Sequence, residues 1–251
     1  MPDSLKRVPA AALLLAALVL SGCVSPGTPA PPDERSAADP WEPLNRGIYS
    51  FNRTVDNATL KPVARGYRAV VPGLARRGVS NFFDNLITPR TAVNNFLQGK
   101  PGDGLTDVAR FLMNSTVGLG GLLDIGMEFG LEEHDEDFGQ TLAVWGVGDG
   151  PYVMLPFLGP RTLRDAIVLP VDWLGDPLYH YDNTSAKDKL VVLDIIDMRY
   201  RLLSAERFLE DSETPYITLR ESYLQNRNYN VHDGNPPMDD DFYDDLLDES
   251  E

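Results

Sequence analysis

The residues able to do nucleophilic, acid–base or metal chemistry are few, and their spacing suits none of it. His134, His180 and His232 are the three histidines of a 251-residue chain, and no His-x-x-x-His pair or cysteine cluster accompanies them to hold a metal. No G-x-S-x-G elbow occurs, which weighs against a serine lipase. The glycines of "GVGDG", Gly146 to Gly150, lack the preceding strand and following lysine that a phosphate loop needs. "EFGLEEHDED", Glu128 to Asp137, gathers six carboxylates around His134. A solvated acidic loop is the simpler reading of that segment, and a weak divalent-cation site is the alternative. One cysteine, Cys23, cannot form an intramolecular disulfide. These observations predict a protein that is not an enzyme and carries no cofactor and no metal.

The position of Cys23 gives it a different chemistry. Lys6 and Arg7 form a basic head, Ala10 to Leu20 an apolar run of eleven residues, and Ser21-Gly22 supply small side chains. This is the pattern of a secretory signal, too short to span a bilayer as a mature helix. Leu20-Ser21-Gly22-Cys23 resembles a bacterial lipobox, in which the cysteine is diacylated on sulfur and becomes the acylated first residue after cleavage. Two or more chains at about 0.8 kcal/mol per buried CH₂ make a stable anchor. Val24 and Ser25 follow the cysteine, and the absence of aspartate there is similar to lipoproteins sent on to the outer membrane.

Residues 1–22 are thus expected to be a signal peptide and 23–38 a lipidated, Pro-rich tether. At about 3 Å per residue the tether reaches up to roughly 40 Å. Cleavage leaves 229 residues, enough for one large domain or two small ones, with 20 basic against 37 acidic side chains, a net charge of −17. Nucleic acid is excluded as a partner by that balance. Eight of the carboxylates crowd into "MDDDFYDDLLDESE" without one basic residue. Residues 236–251 are therefore predicted to be a disordered acidic tail.

Between tether and tail, residues 39–235 read as helical. Asp39-Pro40-Trp41-Glu42, Thr88-Pro89 and Thr214-Pro215 each place a capping side chain before a proline, predicting three helix starts. Apolar residues recur at helical spacing in Leu44, Ile48, Phe51 and Val55, from Leu74 to Leu86, from Val93 to Leu97 with Gly99 as a stop, and in Leu105, Val108 and Leu112. The longest stripe, Leu190 to Leu203, is opened by Ser185-x-x-Asp188 and predicts a helix of about 25 residues, near 37 Å. A last helix carries Tyr216, Leu219 and Tyr223. Each stripe is expected to be a core face, and no period-2 run long enough for a strand is found.

Two segments resist that scheme. "FLMNSTVGLGGLLDIGM", Phe111 to Met127, is apolar but broken by Gly118, Gly120 and Gly121. It is either a buried helix-turn-helix or an apolar hairpin dipping partway into a leaflet. "WGVGDGPYVMLPFLGP", Trp145 to Pro160, is expected to run as an ordered loop over an apolar surface.

"DPWEPLNRGIYSFNRTVD" (Asp39 to Asp56), "FGQTLAVWGVGDGPYVMLPFLGPRTLRD" (Phe138 to Asp165), "DPLYHYDN" and "TPYITLRESYLQNRNY" closely resemble the MlaA, or VacJ, family of outer-membrane lipoproteins. The likeness runs from Asp39 to about Asn230. It departs at Leu44, where members usually carry an aromatic, and the acidic tail lies outside it. The resemblance implies an all-α, ring-like bundle of amphipathic helices in the periplasmic leaflet of the outer membrane, lipid-anchored through Cys23, with a central amphipathic channel. It implies movement of glycerophospholipid between the outer membrane and a periplasmic carrier, MlaC, in association with a trimeric porin, keeping the membrane's lipid asymmetry. It also puts Asn45, Phe51, Asn52, Val117, Leu119, Leu122, Leu123 and Ile125 near the channel or its gate. The rival readings are a structural outer-membrane lipoprotein and a membrane-anchored lipid hydrolase.

Overall fold

The computed structural model describes residues 38–237. Cys23, the leader, the tether up to residue 37 and the acidic segment from residue 238 lie outside the described residues.

The chain opens with α1 (Glu42–Ala58) and α2 (Leu60–Val70), then α3 (Gly73–Leu97) and α4 (Pro101–Thr116), which pack along each other across a three-residue link. A glycine-rich turn leads to the single turn of α5 (Ile125–Glu128) and to α6 (Phe138–Val144). Strands β1 (Tyr152–Leu155) and β2 (Gly159–Thr162) pair antiparallel, with Tyr152 opposite Thr162 and Leu155 opposite Gly159. After them come α7 (Leu163–Leu174), a 3₁₀ turn at Pro177–His180, α8 (Thr184–Arg201), the short α9 (Glu206–Glu210) and α10 (Pro215–Val231). The fold is all-α with one small hairpin. Among the described residues no helix is long and apolar enough to cross a membrane.

Several local expectations are corrected. Trp41, not Asp39, sits at the N-cap of α1, and no side chain caps that end. Asp39 is buried instead, accepting from Asn45 Nδ2, the Tyr216 hydroxyl and Arg220. Thr88-Pro89 does not start a helix, because α3 runs through it. The only backbone bond Pro89 removes is the one to the Asn85 carbonyl. Thr88 Oγ1 donates to the Asp84 carbonyl at 2.9 Å. Thr214-Pro215 does open α10, without a side-chain bond at the cap. The long helix ends at Arg201, and its N-cap is Asn183, whose side chain accepts from Ala186 N, so Ser185-x-x-Asp188 is not the cap. Within Trp145 to Pro160, the chain is irregular up to Pro151 as expected, but from Tyr152 it forms a hairpin rather than a loop. Its strand was hidden because Tyr152, Val153 and Met154 are all buried, which erases the alternation a half-exposed strand would show.

The largest correction concerns which way the stripes face. Ten apolar residues are buried among the described residues, against nineteen polar or charged ones, while thirty-six large apolar residues are exposed. Leu105, Val108 and Leu112 on α4 and Val93, Phe96 and Leu97 at the end of α3 keep the helical period, yet all are exposed. The stripe of α8, Leu190, Leu193, Ile196 and Tyr200, is half-buried and leads to buried Leu203, while a second row, Val191, Ile195 and Met198, is exposed. The helix-forming pattern was right throughout, while the expected burial holds in part for the stripe of α8 and fails for those of α4 and the end of α3. What buried apolar core exists is small: Tyr152, Met154 and Tyr216, with Ile48, Tyr49, Ile217 and Tyr223 against them.

Candidate functional site

Asn45 and Asn52 lie seven residues apart on α1, two helical turns or about 10.5 Å. Asn45 donates to the Tyr152 carbonyl at 3.1 Å and accepts from Met154 N at 2.9 Å. Asn52 repeats this one step along, donating to the Leu155 carbonyl at 2.9 Å and accepting from Phe157 N at 2.9 Å. Three residues of extended chain cover about 10 Å, so the two amides match the spacing of the groups they bind. Phe51 stacks edge-on against Phe157 with centroids 5.2 Å apart. The three residues of the first motif therefore hold the β hairpin.

The glycine-rich turn after α4 closes on itself. Gly121 N donates to the Asn114 carbonyl and Leu123 N to the Gly118 carbonyl. A Cβ on Gly118 would stand 2.3 Å from the Leu123 carbonyl oxygen, and one on Gly121 would meet Asn85 at 2.8 Å, so neither position admits a side chain. Asn85, Asn114, Arg110 and Asp124 tie the turn to α3 and α4 from within. The turn presents Val117, Leu119, Leu122 and Leu123 outward, at 66%, 67%, 44% and 49% exposure. Ile125 is half-buried at the start of α5. A buried helix-turn-helix is thereby excluded.

None of these eight residues lines the cavity of about 460 Å³ formed where α3, α7, α8, α10, β2 and the segment before α6 converge. Its apolar wall is Leu86, Ile87, Leu169, Trp173 and Met198. Interspersed with these, the cavity is lined by Arg90, Arg161, Arg201 and Arg227 with seven aspartates. Arg227 grips Asp137 with two bonds of 2.7 Å and Asp165 with one of 2.8 Å. Burial alone would raise the Asp137 carboxyl, but the Arg227 bonds outweigh it and hold it below the usual carboxylate range. Arg201 reaches Asp84 at 2.8 Å. Asp194, on α8, lacks such a partner, and burial pushes its carboxyl up to about 6. Prolines interrupt two of the walls, Pro89 in α3 and Pro170 in α7. Sequence reading missed this cavity entirely. The available signal was a charge inside an apolar stripe, as at Asp84 between Phe83 and Leu86 or Asp194 between Leu193 and Ile196.

The histidines are structural. His134 Nδ1 lies 2.8 Å from the buried Asp107, while His180 and His232 each meet a backbone carbonyl. The acidic segment is not simply solvated: Glu136 is buried against Gln98 and Lys100, and Asp137 against Arg227. Among the described residues no group of acidic, histidine or cysteine side chains is arranged to hold a metal.

Apolar residues turned outward, amides and ion pairs turned inward, and a cavity lined by both apolar and charged side chains define a helical protein built to work against lipid. The chain belongs to the MlaA lipoprotein family, whose model matches residues 37–230. The intermembrane phospholipid transport system lipoprotein MlaA of Escherichia coli (strain K12) is 39% identical over 234 residues, covering 89% of this chain and 88% of its own length. The Haemophilus influenzae protein of the same name is 31% identical over 236 residues, covering 88% and 89%. A solved structure from work on the structural basis for maintenance of bacterial outer membrane lipid asymmetry matches with a TM-score of 0.67 and 38% identity, over 77% of this chain and 98% of that one.

Proposed function

We propose that this chain is an outer-membrane lipoprotein that moves glycerophospholipid between that membrane and a soluble periplasmic carrier of the MlaC type, and so maintains outer-membrane lipid asymmetry. The observation that carries this is the inverted burial pattern around an amphipathic cavity, and the transport relatives agree with it. A phospholipid with roughly 32 chain CH₂ groups faces about 25 kcal/mol on entering water at about 0.8 each. Such a barrier permits about one escape in days. Covering the chains while offering the head group a polar path removes most of it without nucleotide or bond cleavage, so no catalytic residue is needed.

In this reading the helical domain forms a ring in the periplasmic leaflet, held by the acylated Cys23 and seated against a trimeric porin, with the cavity as part of the channel. Val117, Leu119, Leu122, Leu123 and Ile125 form an apolar gate in contact with lipid. Asn45, Phe51 and Asn52 act on the channel through the hairpin, since β2 carries Arg161 to the cavity wall. The test is Leu122→Asp in a transfer assay from outer-membrane vesicles to a soluble acceptor, with circular dichroism on the same sample. Retained helicity with transfer reduced at least tenfold is expected; retained helicity with full transfer would remove the gate role.

A further inference from the structure

Four guanidinium groups line the cavity, and two of them are already committed: Arg201 to Asp84 and Arg227 to Asp137 and Asp165. The other two are not. Among the described residues neither Arg90 nor Arg161 has a carboxylate within ion-pair distance. Arg161 reaches only the carbonyl of Pro160, at 2.8 Å, and the buried Arg90 Nε has no hydrogen-bond partner. The Arg90 stem packs where Gly175 leaves room, with its Cγ 3.1 Å from the place a Cβ would occupy. A buried Nε–H with no acceptor is costly unless something meets it, and the planar fork of a guanidinium suits the oxygens of a phosphate.

The same cavity is lined by apolar Leu86 and Ile87, one turn before Arg90 on α3, and by Leu169 and Trp173 of α7. A cavity of about 460 Å³ has room for roughly fifteen groups of water size at about 30 Å³ each, enough for a head group and glycerol but not for two full acyl chains. We propose that Arg90 and Arg161 bind the phosphodiester of a glycerophospholipid, while the apolar wall covers the glycerol and the first chain carbons. This rests on the transport reading above. The aspartates make the site selective for position: the cavity as a whole is acidic, so a phosphate is held only where these two arginines reach it.

The test uses the full chain in detergent, with native mass spectrometry reading lipid retained after incubation with phosphatidylethanolamine or with diacylglycerol of the same chains. The wild type should retain phosphatidylethanolamine well above diacylglycerol. Arg90→Gln/Arg161→Gln should lose at least tenfold of the phosphatidylethanolamine and leave diacylglycerol unchanged, with Arg90→Lys/Arg161→Lys recovering part of the loss. Undiminished phosphatidylethanolamine on the glutamine variant would overturn the site and leave the transport reading standing. Retention of neither lipid by the wild type would overturn both. Displacement of the lipid by millimolar inorganic phosphate, with no dependence on the chains, would assign the arginines to a free anion instead. Circular dichroism confirms the fold of each variant, and the single glutamine variants carry the comparison if the double one fails to fold.

Discussion

Asn45 and Asn52 do the same job at different depths. Asn45 is 2% exposed and satisfies two backbone groups next to buried Tyr152, whereas the partners of Asn52 lie nearer the surface. Leaving a buried donor and acceptor unpaired costs about 1–3 kcal/mol each. Asn45→Ala should therefore lower the thermal midpoint in detergent by several degrees, and Asn52→Ala by clearly less; an equal or reversed order in a melting experiment would contradict the clamp. Asp194 supplies a pH test. Its carboxyl is raised from the usual value near 3.8 to about 6, chiefly by burial, so the native state binds the extra proton. Stability from this group is present at low pH and falls as pH rises from about 4 to about 6, then levels. Asp194→Asn should flatten that part of a pH-dependent unfolding profile and raise the midpoint at pH 7. These two asparagines were legible in the sequence as members of a long motif, but their role was not. An amide looks the same whether it lines a channel or holds a strand, and only the matched rise of helix and strand distinguishes the two.

At the scale of elements, the glycine turn makes the sharpest prediction. Gly118 has no room for a Cβ, while Gly120 faces open space but sits at a φ of 74°. Gly118→Ala should break the turn, whereas Gly120→Ala should cost about 1 kcal/mol of left-handed strain. Proteolysis within residues 117–123 reads the difference: rapid cleavage is expected for the first variant only, and similar rates for both would mean the turn is not closed through the Gly118 carbonyl. Helix periods were readable because 3.6-residue spacing depends on the backbone alone. Their direction was not, since a stripe of leucines faces a protein core or a lipid tail with equal advantage, and periodicity carries no sign. The hairpin escaped notice for a related reason. β1 is apolar on both faces and β2, "GPRT", has almost no apolar residue, so neither alternates.

For the whole molecule, a small apolar core and a buried amide and ion-pair network stand beside thirty-six exposed large apolar residues among the described residues. The anchorage proposed at Leu20-Ser21-Gly22-Cys23 has its own test: Cys23→Ala should leave an uncut precursor or a form released from the outer membrane, read by fractionation and intact mass, and a processed variant still sedimenting with that membrane would remove the anchor. The family match spans residues 37–230. The central claim is that the domain carries phospholipid without altering it. Intact protein extracted from its own membrane and analysed by native mass spectrometry measures this directly. The account predicts glycerophospholipid in near one-to-one amount, with no lysophospholipid or free fatty acid accumulating on incubation; protein free of lipid, or protein that generates those cleavage products, would contradict it.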